Sequence, residues 1–311
     1  MNPILFYILA YAGFGLIATP LLGILGSWVD RKITARVQWR VGPPLAQPLY
    51  DLVKLMGKEI IIPRGCSRWT FLMAPVMGFS AAALVATLLW VTLIWPEKSF
   101  TGDLIVVLYF LLVPSIAVIL GGFASRNPIA SLGASREMKL MMADELPFLL
   151  AILVPVIMGG SVIRLGQFII HQESYGMLFT TWAGGLALFV ALMAVQAKLA
   201  LVPFDIPEAE TELMSGPYVE YSGPALAIYK LTHMMMLVIL PMFLIVMFLG
   251  GIDLHGWGIL WSICKLFVLL LLITLIRNTN PRVRIDQALK FFWGPMSIFG
   301  AAAVILALLG K

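Results

Sequence analysis

Eight stretches of this chain are each apolar over about 20 residues, the length a helix needs to cross the hydrocarbon core of a bilayer. They run 4–28, 71–95, 103–123, 141–162, 177–204, 224–249, 256–276 and 289–309. Between them the 311 residues carry only 12% charged side chains against 61% hydrophobic ones, with a mean hydropathy of +0.97. Ordinary soluble domains hold about 25% charged residues, so that class is excluded. In lipid a backbone must satisfy its own polar groups, and long apolar segments do so as helices. The sequence therefore predicts an all-α polytopic membrane protein, a bundle of eight transmembrane helices forming a single integral membrane domain over 1–311. It contains no low-complexity tract and no internal repeat of the kind that marks many secondary transporters.

Charge then orients the bundle. Loop one holds Arg31, Lys32, Arg36, Arg40, Lys54, Lys58, Arg64 and Arg68, loop three Arg126, Arg136 and Lys139, and loop seven Arg277, Arg282, Arg284 and Lys290. The opposite side has Lys98, Arg164 and Lys311. Basic residues concentrate in cytoplasmic loops, which places the odd loops inside a cell membrane and both termini outside. No basic stretch precedes the first apolar segment, so it reads as a retained span. The net charge of +5 is chiefly this topology signal, with some attraction to anionic lipid headgroups, and gives no indication of nucleic-acid binding. Two cysteines, Cys66 and Cys264, are too few for an iron–sulfur cluster. With His171, His233 and His255 equally scattered, no metal site and no cofactor of its own are expected for this chain.

Loop one is not featureless. Its segment 48–59 sets Leu49, Leu52, Val53, Leu55 and Met56 mainly along one helical face, which predicts an interfacial amphipathic helix. The other unusual segment is Pro203-Phe-Asp-Ile-Pro-Glu-Ala-Glu-Thr-Glu-Leu213, which packs Asp205, Glu208, Glu210 and Glu212 between two apolar spans. Taken alone it is compatible with a solvated acidic helix cap. Ionisable residues in or near the spans are costly and for that reason candidates for function: Asp144 and Glu145 at the start of span four, and Lys230 with His233 three residues on in span six. Lys198 and Lys265 could instead snorkel to the interface. Mixed acids and bases along one half of a bundle have the composition of a hydrated proton relay, although a transporter for a charged substrate would use similar residues.

Four motifs in order narrow these options. They are Asp30-Arg-Lys-Ile-Thr-Ala-Arg-Val-Gln-Trp-Arg-Val-Gly-Pro43; Gln47-Pro-Leu-Tyr-Asp-Leu-Val-Lys54; the acidic segment with Glu220-Tyr-Ser-Gly223; and Pro281-Arg-Val-Arg-Ile-Asp-Gln287. Together they resemble the signatures of the respiratory complex I subunit 1 family. A short connection between Gly42-Pro-Pro and Gln47-Pro48, the segment Gly133-Ala-Ser-Arg-Glu137, and the pair Lys230 and His233 resemble the membrane subunit of group 4 energy-converting nickel–iron hydrogenases or the related sulfane sulfur reductase. The resemblance implies a non-catalytic membrane subunit of an oxidoreductase complex. Such a subunit docks a peripheral redox arm and links it to proton or sodium translocation. The nickel–iron and iron–sulfur clusters would belong to partner subunits: hydrogenase large and small subunits, an iron–sulfur subunit and antiporter-like membrane subunits, with ferredoxin reached through the complex. By motif position it assigns Asp51, Glu145, Asp205, Glu208, Glu210, Glu212 and Glu220 to proton relay and coupling, with Asp144, Lys230 and His233 joining them as the ionisable residues of the spans; Arg31, Arg36, Arg40, Arg282, Arg284 and Asp286 fall in the docking loops, together with the neighbouring Lys32. Lys198 departs from the pattern, since many relatives carry an acid there. The competing expectations are a quinone-binding subunit of a complex I-type dehydrogenase and, in another class, a stand-alone ion transporter.

Overall fold

The computed structural model describes residues 3–160, 163–253 and 256–310, without the side chains of Pro3, Glu210 and Thr211. His255 and Lys311 lie outside the described residues. The described chain is helical throughout its regular structure: α1 (Ile4–Val37), α2 (Gln47–Met56), α3 (Arg68–Ile94), α4 (Asp103–Ala124), α5 (Pro128–Met158), α6 (Leu165–Tyr175), α7 (Trp182–Lys198), α8 (Glu210–Leu213), α9 (Gly223–Phe248), α10 (Gly258–Thr279) and α11 (Ile285–Leu308).

Seven of these, α1, α3, α4, α5, α9, α10 and α11, are long and apolar enough to cross a membrane. The predicted fifth span is the exception. Only 17 of its residues form the helix α7, about 26 Å at 1.5 Å per residue, against a core of about 30 Å. A short turn at Leu178–Thr180 precedes it and irregular chain follows from Leu199. Among the described residues, then, seven helices have the full length and the eighth predicted span is represented by one shorter apolar helix.

Two other boundaries move. α5 begins at Pro128, well before the predicted 141, because Asn127 caps it by accepting the Ile129 N–H at 2.8 Å while Pro128 fills the first helical position. Arg136 and Lys139, expected in a loop, consequently stand on this helix. α1 likewise runs on past 28 to Val37 and carries Asp30, Arg31, Lys32 and Arg36 with it. It is wound more loosely over Tyr11–Ala18. There the buried Thr19 hydroxyl donates to Phe14 O at 2.8 Å and accepts Trp90 Nε1 at 3.1 Å.

α9 is the central pillar, with every residue from Met234 to Phe248 buried. α1, α2, α3 and α10 pack around it, α4 joins α3 to α5, and α5, α7 and α11 form a second group. Buried side chains tie down the far end of α9. The Gln172 amide donates to Val246 O and Met247 O and accepts from Leu178 and Gly250, all within 3.3 Å. Lys265, one of the two lysines weighed as a snorkel, donates to Leu249 O at 2.6 Å and Gly251 O at 3.0 Å, carbonyls of the turn just past the end of α9. α2 forms where an amphipathic helix is predicted. Leu52 and Leu55 pack against α9, while Leu49, Val53 and Met56 remain exposed.

Candidate functional site

The acidic segment lies between α7 and α9 and folds back on α5. Gly216 makes this possible: its φ is +50° and a Cβ there would meet Pro207 O at 2.0 Å. The next residue, Pro217, lies against Gly133 of α5, where a Cβ would come within 2.7 Å of its ring. So folded, the loop walls a cavity of about 520 Å³, of the size that takes small organic ligands, whose lining includes Asp30, Asp205, Glu208, Tyr218, Lys230, His233 and Arg277.

A smaller cavity of about 50 Å³ adjoins it, with Ala200, Glu208, Tyr218, Tyr229 and His233 common to both. The inner one adds Ser115, Glu137 and Lys198 and has room for ordered water. Beyond it Lys198 Nζ lies 2.7 Å from Glu145 Oε2 and 3.1 Å from Asp144 Oδ2. The Asp144 contact is an ion pair without hydrogen-bond alignment. Lys198 and Asp144 are almost wholly buried, whereas the Glu145 side chain keeps 24% of its surface exposed. Polar groups thus follow one another from the large cavity, through Glu208, Tyr218 and His233, to Glu137 and Lys198, and out to Glu145 on the flank of α5.

Of the residues singled out from the sequence, Asp144, Glu145, Asp205, Glu208, Lys230 and His233 meet along this line. Asp51, Glu212 and Glu220 line neither cavity. Asp51 accepts from Arg31 at 2.8 Å and from Gln47 at 3.0 Å, and the Arg31 hydrogen bond holds its carboxyl below the usual carboxylate range. Glu212 is exposed and accepts from Arg136 at 2.6 Å, which likewise lowers its pKa. Glu220 accepts from Asn127 at 2.5 Å, joining the loop to the start of α5. The side chain of Glu210 lies outside the described residues. Among the docking candidates, Arg36, Arg40, Arg284 and Asp286 are exposed, Lys32 is half-buried, and Arg282 donates to Asp205 at 2.6 Å.

Sequence reasoning left Glu137, Tyr218, Asp30 and Arg277 out of the relay. Glu137 was detectable, since it precedes Asp144 by two helical turns and so shares its face. Its assignment to a loop hid that register. Asp30 is nearly buried and accepts from Arg277 at 2.6 Å and Thr274 at 2.9 Å, joining α1 to α10. Nothing in the sequence separation of these two helices signals that contact. Among the described residues no cluster of His, Cys, Asp and Glu could hold a metal ion.

Comparison with known proteins agrees with this architecture. A family model described as NADH dehydrogenase matches residues 10–308. An NADH-quinone oxidoreductase subunit from Carboxydothermus hydrogenoformans is 35% identical over 86% of this chain and 78% of its own length. The corresponding subunit from Geobacillus thermodenitrificans is 33% identical over 90% of this chain and 88% of its own. Among solved structures, a chain of the membrane-bound sulfane sulfur reductase, an archaeal respiratory membrane complex, superposes with a TM-score of 0.87 at 28% identity, covering 97% of this chain and 99% of that one.

Proposed function

The chain belongs to the NADH dehydrogenase subunit 1 family, and from that premise we propose that it is the coupling subunit of a ferredoxin-linked, hydrogenase-type or sulfane-sulfur-reductase-type membrane complex. It would sit in the cell membrane with its basic loops cytoplasmic and both termini outside, holding the redox arm at those loops. The nickel–iron and iron–sulfur centres belong to the partner subunits, and antiporter-like subunits flank it in the membrane.

The observation that carries this reading is the run of titratable groups through the two adjoining cavities to the Lys198 cluster. Glu137, Asp144 and Glu145 set three carboxyl groups against one ammonium. Bare negative charges without partners are too costly at membrane depth, so the cluster must share protons or another cation. A change of charge in the large cavity, beside the docked arm, then alters how readily the cluster gives up a proton at Glu145. The test is reconstitution of the purified complex in sealed liposomes. Replacing Glu145 by Gln should abolish redox-driven ion uptake while electron transfer measured in detergent continues. Uptake at the wild-type rate would overturn the reading.

A second reading has its own support. The curated relatives are NADH-quinone oxidoreductase subunits, and the cavity of about 520 Å³ could house a quinone headgroup. Metal analysis of the co-purified complex separates the two: nickel with iron–sulfur clusters supports the first, quinone reductase activity without nickel the second.

A further inference from the structure

We propose that Trp39 and the arginine cleft beside it receive an acidic segment of a soluble partner subunit, with an apolar side chain on the indole and a carboxylate in the cleft. The inference rests on the docking role proposed for loop one and gives that role its chemistry.

Trp39 is 97% exposed and its backbone has a φ of +59°. It stands just past the end of α1. Its N–H donates to Arg36 O at 3.2 Å and the Arg40 N–H donates to Ala35 O at 2.7 Å. That pair of bonds closes a helix with a left-handed residue at this position, where glycine is the usual choice because it has no Cβ to clash. The chain instead places its bulkiest side chain there and leaves it in water. Both features are unfavourable for the chain alone, and a partner that covers the ring compensates for them.

The ring is also held on a fixed base. Asp30 ties α1 to Thr274 and Arg277 of α10; one turn on, Asn278 Nδ2 donates to Thr34 Oγ1 at 3.1 Å, and Gln38 Nε2 donates to Asn278 Oδ1 at 3.3 Å. Trp28 Nε1 donates to Pro43 O at 3.2 Å and anchors the returning chain. A surface fixed in this way loses little entropy on binding.

Beside Trp39 opens a cleft of about 280 Å³ whose lining includes Arg31, Arg40 and Arg277. Arg31 and Arg277 are balanced by Asp51 and Asp30, whereas Arg40 donates to Gln38 and has no carboxylate partner among the described residues. The cleft therefore keeps a spare positive charge on a guanidinium, whose fork suits a carboxylate. A soluble protein is the better occupant than lipid. The apolar run of α1 ends at Trp28 and its last turns carry Asp30, Arg31, Lys32 and Arg36, so this end of the helix lies outside the hydrocarbon core, where a charged protein segment can reach it. Trp and Arg are also among the side chains most enriched at interface hot spots, and Val37 and Val41 extend the exposed apolar surface on either side of the ring.

The complex is purified through a tag on this chain, and release of its soluble subunits is measured against salt for wild type, Trp39→Gly, Trp39→Phe and Arg40→Gln. Trp39→Gly suits the backbone, so the isolated chain should melt no lower than wild type. In the complex it should weaken retention of the soluble subunits about 30-fold. Trp39→Phe should retain them, and Arg40→Gln should release them at lower salt. Wild-type retention by Trp39→Gly would overturn the proposal. So would quenching of Trp39 fluorescence by brominated acyl chains in vesicles, read as the difference between wild type and Trp39→Phe, since lipid would then be the occupant. If the wild-type chain brings down no soluble subunit at all, the docking role itself fails, an outcome distinct from loss in the variants alone.

Discussion

Lys198, the last residue of α7, places its ammonium 2.7 Å from the Glu145 carboxylate in the middle of α5. Nζ also lies 4.8 Å from the centre of the Phe148 ring, one turn further along α5. A residue that could have snorkelled to the interface is instead drawn inward, because two carboxylates and an aromatic face await it there. The short helix α7 is what delivers it: had the helix continued, as the hydropathy predicts, the chain could not turn at Leu199 into the acidic loop.

Removing this ammonium strands two carboxyl groups. Lys198→Met should lower stability by about 3–5 kcal/mol, the usual loss when one partner of a buried ion pair is deleted. The change is read as a fall in the melting temperature of the purified complex. Adding Asp144→Asn and Glu145→Gln to the same protein should recover most of the loss, and ion uptake should remain abolished. A melting temperature unchanged in the single variant would show that the cluster is already solvated.

Glu137 and Glu212 should respond differently to the same chemical change. Glu137 is buried in the inner cavity, whereas Glu212 is exposed and bound to Arg136. Glu137→Gln should cut redox-driven ion uptake by at least ~10-fold, as removal of a positioned proton-transfer group does. Glu212→Gln should change it by less than about two-fold, in keeping with an exposed pair. Equal losses in liposome assays would place the pathway elsewhere.

The Arg31 and Asp51 pair predicts a pH dependence. The hydrogen bond from Arg31 holds the Asp51 carboxyl below its usual range, so its contribution is complete above the unfolded value of about 3.9 and fades as pH falls through the lower folded value. Both side chains are more than a third exposed, which limits the effect to about 0.2–1 kcal/mol. Asp51→Asn should therefore melt slightly below wild type at pH 7, with the gap closing near pH 3. A gap that widens in acid would contradict the assignment.

Orientation is open to direct labelling. Thr101 and Arg64 are exposed on connections at opposite ends of α3. With Cys66 and Cys264 replaced by Ser, Thr101→Cys should react with an impermeant maleimide from outside the cell and Arg64→Cys only after lysis. Reaction of both from one side would mean that α3 does not cross the membrane.

The sequence by itself determined the class, the family and most of the helices, because hydropathy over about 20 residues is a local quantity and the motif loops are contiguous. The acidic segment and the interest of Asp144, Glu145, Lys230 and His233 were legible for the same reason. Partnership was not. Asp30 and Arg277, or Glu145 and Lys198, are distant in sequence, and only packing decides which charges meet. Hydropathy is also blind to what an apolar face touches. Lipid and a neighbouring helix look alike to it, so nothing in composition marked α9 as the buried pillar and α1 as largely exposed. Tertiary structure likewise paired Asp51, Glu212 and Glu220 with Arg31, Arg136 and Asn127, and set Glu137, read from the sequence as part of a loop, in the lining of the inner cavity. The physical reason is that a carboxylate's role depends on its burial and its nearest partner, and both are properties of the folded bundle.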